Sequence, residues 1–260
     1  MERRRIDSLL ADRGLARSRT SAAVSVRAGM VRIGRDGPLA TKPGELVPDD
    51  AELLVLEERR YASRGGIKLE SALDSLAFDV SGRACVDIGA STGGFTDCLL
   101  RRGAARVVAV DVGYGQLDWR LRNDSRVTVL ERTNARHLRP EDLPYRPDLA
   151  TIDVSFISLT KVLPAVGACL TADGDILALI KPQFELGKGR VRGGVVRTVA
   201  ERREALLAVA DAARELGLAV RAFAPSGLPG PKGNRETFAW LGTGGAGIAD
   251  LEAAALEVEP

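Results

Sequence analysis

Apolar and polar residues alternate between strand-like and helix-like stretches over the last two hundred residues of the chain. Five apolar runs are separated by helix-length segments: ACVDIG (84–89), RVVAVDVG (106–113), VTVLERTN (127–134), DLATIDVSF (148–156) and DILALIKPQF (175–184). A helical stretch over 198–217, a strand LAVRAFAPS, a loop GLPGPKGN and a last strand RETFAWLG follow. Apolar strands that alternate with helices are typical of a parallel sheet covered on both faces. The pattern predicts an α/β fold with a mostly parallel, seven-stranded sheet.

The first 57 residues follow a different pattern. It predicts a helix from Ile6 to about Arg13, a second helix from about Ser18 to Gly29, and strands MVRIG (30–34) and ELLVLE (52–57). We therefore expect a small α+β domain over 1–57, a linker over 58–64 and the larger domain over 65–260. A helix from about Ile67 opens the larger domain, and a terminal helix over 247–259 ends it.

Composition fits two folded domains. The chain has 260 residues, of which 45% are hydrophobic and 28% charged, which argues against extensive disorder. No apolar stretch approaches the ~18 residues of a membrane helix, and MERRRIDSLL has no apolar segment of a signal peptide. We expect a cytoplasmic protein with no membrane partner. Cys85, Cys98 and Cys169 form no close pair, which favours reduced core thiols over a metal site. His137 is the only histidine, so histidine-based triads are nearly excluded.

Positive charge is concentrated at the start of the chain. Residues 1–35 contain nine arginines and three acidic residues, whereas the whole chain has a net charge of only +2. A cationic N-terminal domain attached to a balanced body suits binding to a polyanion.

The segment VDIGASTGGFTD (86–97) breaks from a strand into glycines. Gly89 and Gly94 have the spacing of a P-loop, but Phe95 occupies the position of its lysine. The dinucleotide fingerprint GxGxxG also fails, because Ser91 stands where its second glycine belongs. A tight turn with glycines for packing alone is the remaining alternative to a ligand site.

Acidic residues flank this loop. Asp87 ends the strand before it, and Asp111 ends the next strand, where an acid commonly binds ribose hydroxyls. A loop with acids and no phosphate-binding cation suits a cationic nucleoside-like ligand. S-adenosylmethionine fits, because it combines one ribose with a positive sulfonium and amino group.

Two later strands end in charged residues. Asp153 and Lys181 should project into the same crevice, although two solvated strand ends are the simpler alternative. Methyl transfer to an oxygen needs a group that removes or activates the hydroxyl proton, and here a lysine or a carboxylate is available. A neighbouring cation such as Lys68 could tune that lysine, and Glu236 could pair with and orient one of the two.

The chain resembles the haemolysin A-type (TlyA) ribosomal RNA 2'-O-methyltransferases, which join an S4 RNA-binding domain to an FtsJ-like, Rossmann-like class I methyltransferase domain. The resemblance covers nearly the whole chain and rests on motifs of high combined specificity: RIDSLLADRGLARSR, SRGGIKL, GASTGGFTDCLL, VDVGYGQLDWRLRND, ERTNAR, DVSFISLTKVLP, IKPQFELGKG and LPGPKGNRETFAWL.

The resemblance implies specific site residues. A catalytic tetrad falls on Lys68, Asp153, Lys181 and Glu236, with Lys181 activating the ribose 2'-hydroxyl and Asp153 orienting it. Contacts to S-adenosylmethionine fall on Asp87, Gly89, Ala90, Ser91, Gly93, Gly94, Phe95, Asp111, Val112, Asn134 and Asp153. RNA contacts are expected at Arg4, Arg5, Arg17, Arg19, Lys42, Arg64 and Lys188. No metal is expected.

The implied substrate is cytidine in 16S and 23S ribosomal RNA within ribosomal subunits, and the implied consequence is sensitivity to capreomycin and viomycin. The terminal helix favours both RNAs as substrates, and we expect a monomer. A non-catalytic S4-type RNA-binding protein and a membrane-active haemolysin are the alternative functions.

Overall fold

The computed structural model describes residues 3–27, 29–55, 60–187, 189–230 and 232–259. The chain divides into two compact units, Met1–Arg59 and Arg60–Pro260, each with its own apolar core. The division falls within the predicted linker, whose residues 58–59 lie outside the described part of the chain. Residues 60–64 of that linker belong to the second unit, which we call the catalytic unit.

The N-terminal unit is a small α+β structure. Its elements are β1 (Arg3–Arg5), α1 (Ile6–Asp12), α2 (Arg19–Arg27), β2 (Val31–Ile33), β3 (Leu46–Pro48) and β4 (Leu53–Val55). β1 pairs with β3 and β2 pairs with β4, both antiparallel. The sequence pattern missed β1 and β3, because strands of three residues, one of them all arginine, give no apolar alternation.

The catalytic unit alternates strands and helices as predicted. Its elements are α3 (Arg64–Ser75), β5 (Ala84–Ile88), α4 (Gly94–Arg101), β6 (Arg106–Val110), α5 (Trp119–Arg122), β7 (Val127–Leu130), β8 (Leu149–Ile152), α6 (Leu163–Cys169), β9 (Asp175–Ile180), α7 (Pro182–Glu185), α8 (Val199–Glu215), β10 (Ala219–Pro225), β11 (Thr237–Gly242) and α9 (Leu251–Val258).

Seven of these strands form one sheet in the order β10-β11-β9-β8-β5-β6-β7. The five central and edge strands from β5 to β9 pair in parallel, and β11 is antiparallel to both of its neighbours. Successive residues of β5 point to opposite sides: Cys85 packs into a core with Leu73 of α3, and Val86 into a second core with Val166 of α6. The sheet is therefore covered on both faces, and the predicted fold class is confirmed.

Some predicted element ends were wrong. Helix α3 begins at Arg64 rather than near Ile67, because the Ser63 hydroxyl accepts a hydrogen bond from the Gly65 N–H and caps it. The strand end expected at Lys181 is confirmed to within one residue, since β9 ends at Ile180 and Pro182 opens the short helix α7. Because β9 ends at Ile180, the polar residue Lys181 lies on a loop at the carboxyl edge of the sheet, where the site lies.

Candidate active site

The glycine loop between β5 and α4 packs directly on the loop that follows β8. Gly89 has a φ of +82°, and a Cβ at this position would lie 2.5 Å from the Asp153 carbonyl oxygen. Only glycine meets both conditions, since other residues strain at positive φ and would collide with that backbone. The packing fixes the predicted cofactor loop against the backbone of a predicted catalytic residue.

Asp111 is fixed at the glycine loop by two backbone N–H groups. Its Oδ2 accepts a hydrogen bond from the Ser91 N–H at 2.7 Å, and its Oδ1 accepts one from the Gly113 N–H at 2.6 Å. Ser91 has a φ of +49°, a strained conformation of the kind that collects at ligand sites. Because each carboxylate oxygen can accept a second hydrogen bond, Asp111 retains capacity for two ribose hydroxyls. These residues fit S-adenosylmethionine.

Asp87 and Phe95 lie inside the protein, away from solvent. The fully buried Asp87 carboxylate accepts hydrogen bonds from the Thr96 N–H, the Thr96 hydroxyl and the Thr151 hydroxyl. Burial raises the pKa of Asp87 to about 7, although these hydrogen bonds oppose the rise. Phe95 is 3% exposed and packs against Phe238. Asp87 and Phe95 thus support the glycine loop from its buried side, and their predicted contacts with the cofactor stay predictions.

The other predicted cofactor contacts surround the loop. Ala90 is buried, Gly93 precedes α4 and Gly94 is its first residue. Val112 is exposed beside Asp111, and Asn134 caps the 3₁₀ turn that contains the exposed His137.

The first catalytic pair joins the loops after β8 and β9. Lys181 Nζ lies 2.5 Å from Asp153 Oδ1 and donates a hydrogen bond to the Ser155 hydroxyl at 2.9 Å. The Lys181 and Asp153 side chains are 11% and 24% exposed. A largely buried lysine held by two oxygens has a fixed direction, which a group that activates a hydroxyl requires.

The second pair is more deeply buried. The Lys68 ammonium of α3 forms an ion pair with the Glu236 carboxylate, and their side chains are 9% and 1% exposed. Thr237 pairs with Ile180 in the sheet, so the residues just beyond them, Glu236 and Lys181, are neighbours across the two strands. The structure thus brings all four predicted tetrad residues to one end of the sheet and selects Lys68 as the partner of Glu236.

Sequence reasoning missed an aromatic pair beside the tetrad. Phe156, three residues after Asp153, is 92% exposed and has a φ of +65°. Its ring lies 5.2 Å from that of Phe184, three residues after Lys181. An exposed phenylalanine in a strained conformation suggests a binding role. The sequence motifs did not indicate this aromatic pair, since a positive φ at a phenylalanine cannot be predicted from the sequence.

A buried carboxylate braces the same two loops. Glu185 accepts hydrogen bonds from the Ser158 hydroxyl at 2.5 Å and from the Leu159 N–H at 3.0 Å. Burial raises the pKa of Glu185. The brace links the chain after Asp153 to the chain after Lys181.

The predicted RNA-binding residues of the N-terminal unit fall into two groups. Arg4 contacts Asp12 and Asp49, while Arg5 and Arg19 contact the buried Asp7. Hydrogen bonds from Arg5, and then Arg19, lower the pKa of Asp7 to about 2. Arg17 and Lys42 are exposed, and no carboxylate pairs with them within the described ranges.

In the catalytic unit, Arg64 is exposed and donates a hydrogen bond to the Pro229 carbonyl at 2.9 Å. Lys188 lies outside the described residues. Cys85, Cys98 and Cys169 are buried free thiols. In the part of the chain that the structure covers, no helix is long and apolar enough to cross a bilayer.

A parallel sheet with one antiparallel strand, a glycine loop with an acid on the next strand, and a buried lysine–acid site together define a Rossmann-like methyltransferase. The chain belongs to the FtsJ-like methyltransferase family, which matches residues 61–243. S-adenosylmethionine, the cofactor expected from the sequence, is therefore its methyl donor.

Individual relatives agree. The chain is 56% identical to the 16S/23S rRNA (cytidine-2'-O)-methyltransferase TlyA of Mycobacterium tuberculosis over 93% of this chain and 90% of the relative. It is 34% identical to the 23S rRNA (cytidine-2'-O)-methyltransferase TlyA of Campylobacter jejuni, over 75% and 76%. A solved structure from Streptococcus thermophilus that carries the name hemolysin matches with a TM-score of 0.75 and 41% identity, over 99% of this chain and 94% of that one. The resemblance stated from the motifs is confirmed.

Proposed function

We propose that this protein transfers the methyl group of S-adenosylmethionine to the ribose 2'-hydroxyl of cytidine in 16S and 23S ribosomal RNA. The observation that carries the proposal is the meeting of two lysine–acid pairs at the carboxyl end of the sheet, the deeply buried Lys68–Glu236 and the partly buried Lys181–Asp153. The greater similarity to the relative named for both RNAs, in identity and in coverage, supports both as substrates.

We infer a role for each residue of the tetrad from this arrangement. Lys181 contacts the 2'-oxygen and stabilises the charge that develops on it as the O–H bond breaks and the O–CH3 bond forms. Asp153 orients Lys181, and its partly exposed carboxylate accepts the released proton and passes it to solvent. Lys68 and Glu236 hold their own strand and helix ends, which keeps the site rigid. S-adenosylmethionine, bound beside Asp111, would supply the methyl group by breaking its S–CH3 bond, with S-adenosylhomocysteine as the leaving group.

The aromatic pair suits the acceptor base. A-form RNA keeps its bases stacked, so an enzyme that must reach one 2'-hydroxyl gains by extruding that nucleotide. Phe156 offers a free aromatic face next to Asp153, which a displaced base could stack on. The N-terminal unit, as an S4 domain, would position the RNA through phosphate contacts from Arg17 and Lys42 together with Arg4, Arg5 and Arg19.

Labelling with tritiated S-adenosylmethionine tests the proposal. Purified protein should label ribosomal subunits, and Lys181→Ala should reduce the rate by 10²–10⁴-fold while leaving the Kd for the cofactor within a factor of two. Normal labelling by Lys181→Ala would remove this lysine from the mechanism. Binding of rRNA without any methyl transfer by the wild type would favour a non-catalytic RNA-binding protein, and leakage from liposomes would favour a haemolysin.

Capreomycin sensitivity belongs to the same proposal, since it requires the rRNA methylation. The cytoplasmic location and the monomeric state stay predictions from the sequence.

A further inference from the structure

Two loops of the catalytic unit carry positive charge that has no role in the methyl-transfer chemistry proposed above. Residues 187–197 (GKGRVRGGVVR) and 227–235 (GLPGPKGNR) contain six basic residues and no acidic one. Arginines elsewhere in this unit commonly pair with acids, as Arg83 does with Asp148 and Asp175. The two loops differ from the rest of the catalytic unit, because neither contains an acid that could pair with its basic residues.

A buried asparagine clamps the two loops together. Asn234 is 2% exposed. Its Oδ1 accepts a hydrogen bond from the Val196 N–H at 2.8 Å, and its Nδ2 donates one to the Gly194 carbonyl at 2.8 Å. The Asn234 carbonyl also accepts from the Gly230 N–H at 2.8 Å. With both ends of its amide used, Asn234 fixes one loop relative to the other.

Three exposed cations stand on the clamped loops: Arg197, Lys232 and Arg235. Within the described ranges, no carboxylate lies close enough to form an ion pair with any of them. Their neighbours differ, since Arg190 pairs with Glu204 and Arg202 pairs with the buried Glu259. The three side chains thus present uncompensated charge to solvent.

The clamp holds two of these cations close to its own hydrogen bonds. A Cβ at Gly194 would lie 3.2 Å from Lys232 Nζ, so the lysine of one loop rests on the backbone of the other. Arg197 lies two residues before the start of α8, and its carbonyl accepts a hydrogen bond from the buried Arg202. We call Arg197, Lys232 and Arg235 the clamped basic surface.

This surface borders the tetrad. Arg235 directly precedes Glu236, and a Cβ at Gly230 would lie only 2.4 Å from Glu236 Oε1. Arg64, one turn before Lys68 on α3, holds the same loop through the Pro229 carbonyl. An anionic strand that delivered its ribose to the tetrad would therefore pass the clamped basic surface.

We propose that Arg197, Lys232 and Arg235 bind phosphates of the RNA strand that flanks the methylated nucleotide, and that Asn234 positions them. The proposal rests on the proposed function, because it assigns the polyanion to the acceptor of the same site. Phosphate contacts fix the register of a nucleic acid without reading its sequence. A second set of contacts on the catalytic unit would thus place one particular ribose at the tetrad.

Salt-dependent binding tests the proposal. Binding of 16S and 23S rRNA transcripts to the full chain, without cofactor, is measured across potassium chloride concentrations for the wild type and for the triple variant Arg197→Gln, Lys232→Gln, Arg235→Gln. Each lost phosphate contact flattens the plot of log K against log [salt] by about 0.7 to 0.9, so the triple variant should lose about 2 from the slope. Its KM for rRNA should rise at least tenfold, with an unchanged Kd for S-adenosylmethionine.

Matched controls separate charge, position and folding. Arg106→Gln removes one charge from the first residue of β6, at the amino end of the parallel strands and opposite to the end that carries the tetrad, and should leave the slope unchanged. Asn234→Ala removes no charge but should raise the KM for rRNA while leaving cofactor binding intact. An unchanged slope and KM in the triple variant overturn the surface even if the wild type methylates rRNA. If the wild type binds rRNA and transfers no methyl group, the proposed function fails, and the slopes still decide whether the surface contacts RNA.

Discussion

Breaking the Lys68–Glu236 pair should destabilise the catalytic unit far more than removing it. Lys68→Met leaves the Glu236 carboxylate, whose side chain is 1% exposed, without its cation. A buried charge that loses its partner costs about 3–5 kcal/mol. Adding Glu236→Gln removes that charge and leaves a neutral amide in the same space. We expect the double variant to recover about 2 kcal/mol, because an unpaired neutral group costs less than an unpaired ion.

The two tryptophans make the measurement specific. Trp119 and Trp240 both lie in the catalytic unit, so their fluorescence during unfolding in denaturant reports on that unit alone. Methyl transfer to rRNA is measured on the same three variants. The double variant should be stable but inactive, since it lacks two tetrad groups.

Two results would refute this reasoning. One is a Lys68→Met variant within 1 kcal/mol of the wild type, which would mean that Glu236 finds another partner or stays hydrated. The other is a double variant that is stable and fully active, which would separate the pair from catalysis and leave it a structural ion pair.

Three further changes probe other parts of the site. Asp111→Asn should raise the Kd for S-adenosylmethionine about 10- to 100-fold in calorimetry, because a hydrogen bond to a charged group contributes about 1.5–3 kcal/mol; an unchanged Kd would exclude ribose binding there. Gly230→Ala should lower kcat at least tenfold, because the added Cβ would lie 2.4 Å from Glu236 Oε1 and would push that carboxylate out of place. A variant with the wild-type kcat would show that the loop adjusts freely. Asp87 has a folded pKa of about 7 against an ordinary 3.8, so its contribution to stability is complete below pH ~4 and is lost as pH rises through 7. Unfolding free energy should therefore fall by about 3 kcal/mol between pH 5 and pH 8, and Asp87→Asn should flatten this dependence; a variant with the wild-type slope would contradict the buried protonation.

The sequence predicted the sheet because its strands are buried on both faces and so appear as apolar runs. β5, β6, β8 and β9 have this character, whereas β7 is an edge strand with partly buried residues and was predicted from its apolar run alone. The short strands β1 and β3 escaped, since their pairing depends on backbone contacts rather than on apolar alternation. The start of α3 was hidden by Gly65 and Gly66, which usually disfavour helix and here allow close packing.

Only part of the tetrad could be predicted from the sequence pattern. Strand ends identified Asp153 and Lys181, and chemistry suggested Lys68 and Glu236 as their neighbours, while membership of all four in one tetrad depended on the family resemblance. The partner of Glu236 required the structure, because Lys68 and Glu236 are 168 residues apart along the chain. The interior position of Asp87 was equally hidden, since a residue near the end of a strand points inward or outward according to the pleat.

Mapping of 2'-O-methyl groups in rRNA tests the central claim most directly. Unmethylated 16S and 23S rRNA, free and in subunits, is incubated with the protein and S-adenosylmethionine, with Lys181→Ala as the control. We expect new ribose methylation at a cytidine in each RNA with the wild type and none with the variant. Methyl groups on bases, or no new methyl group in either RNA, would contradict it.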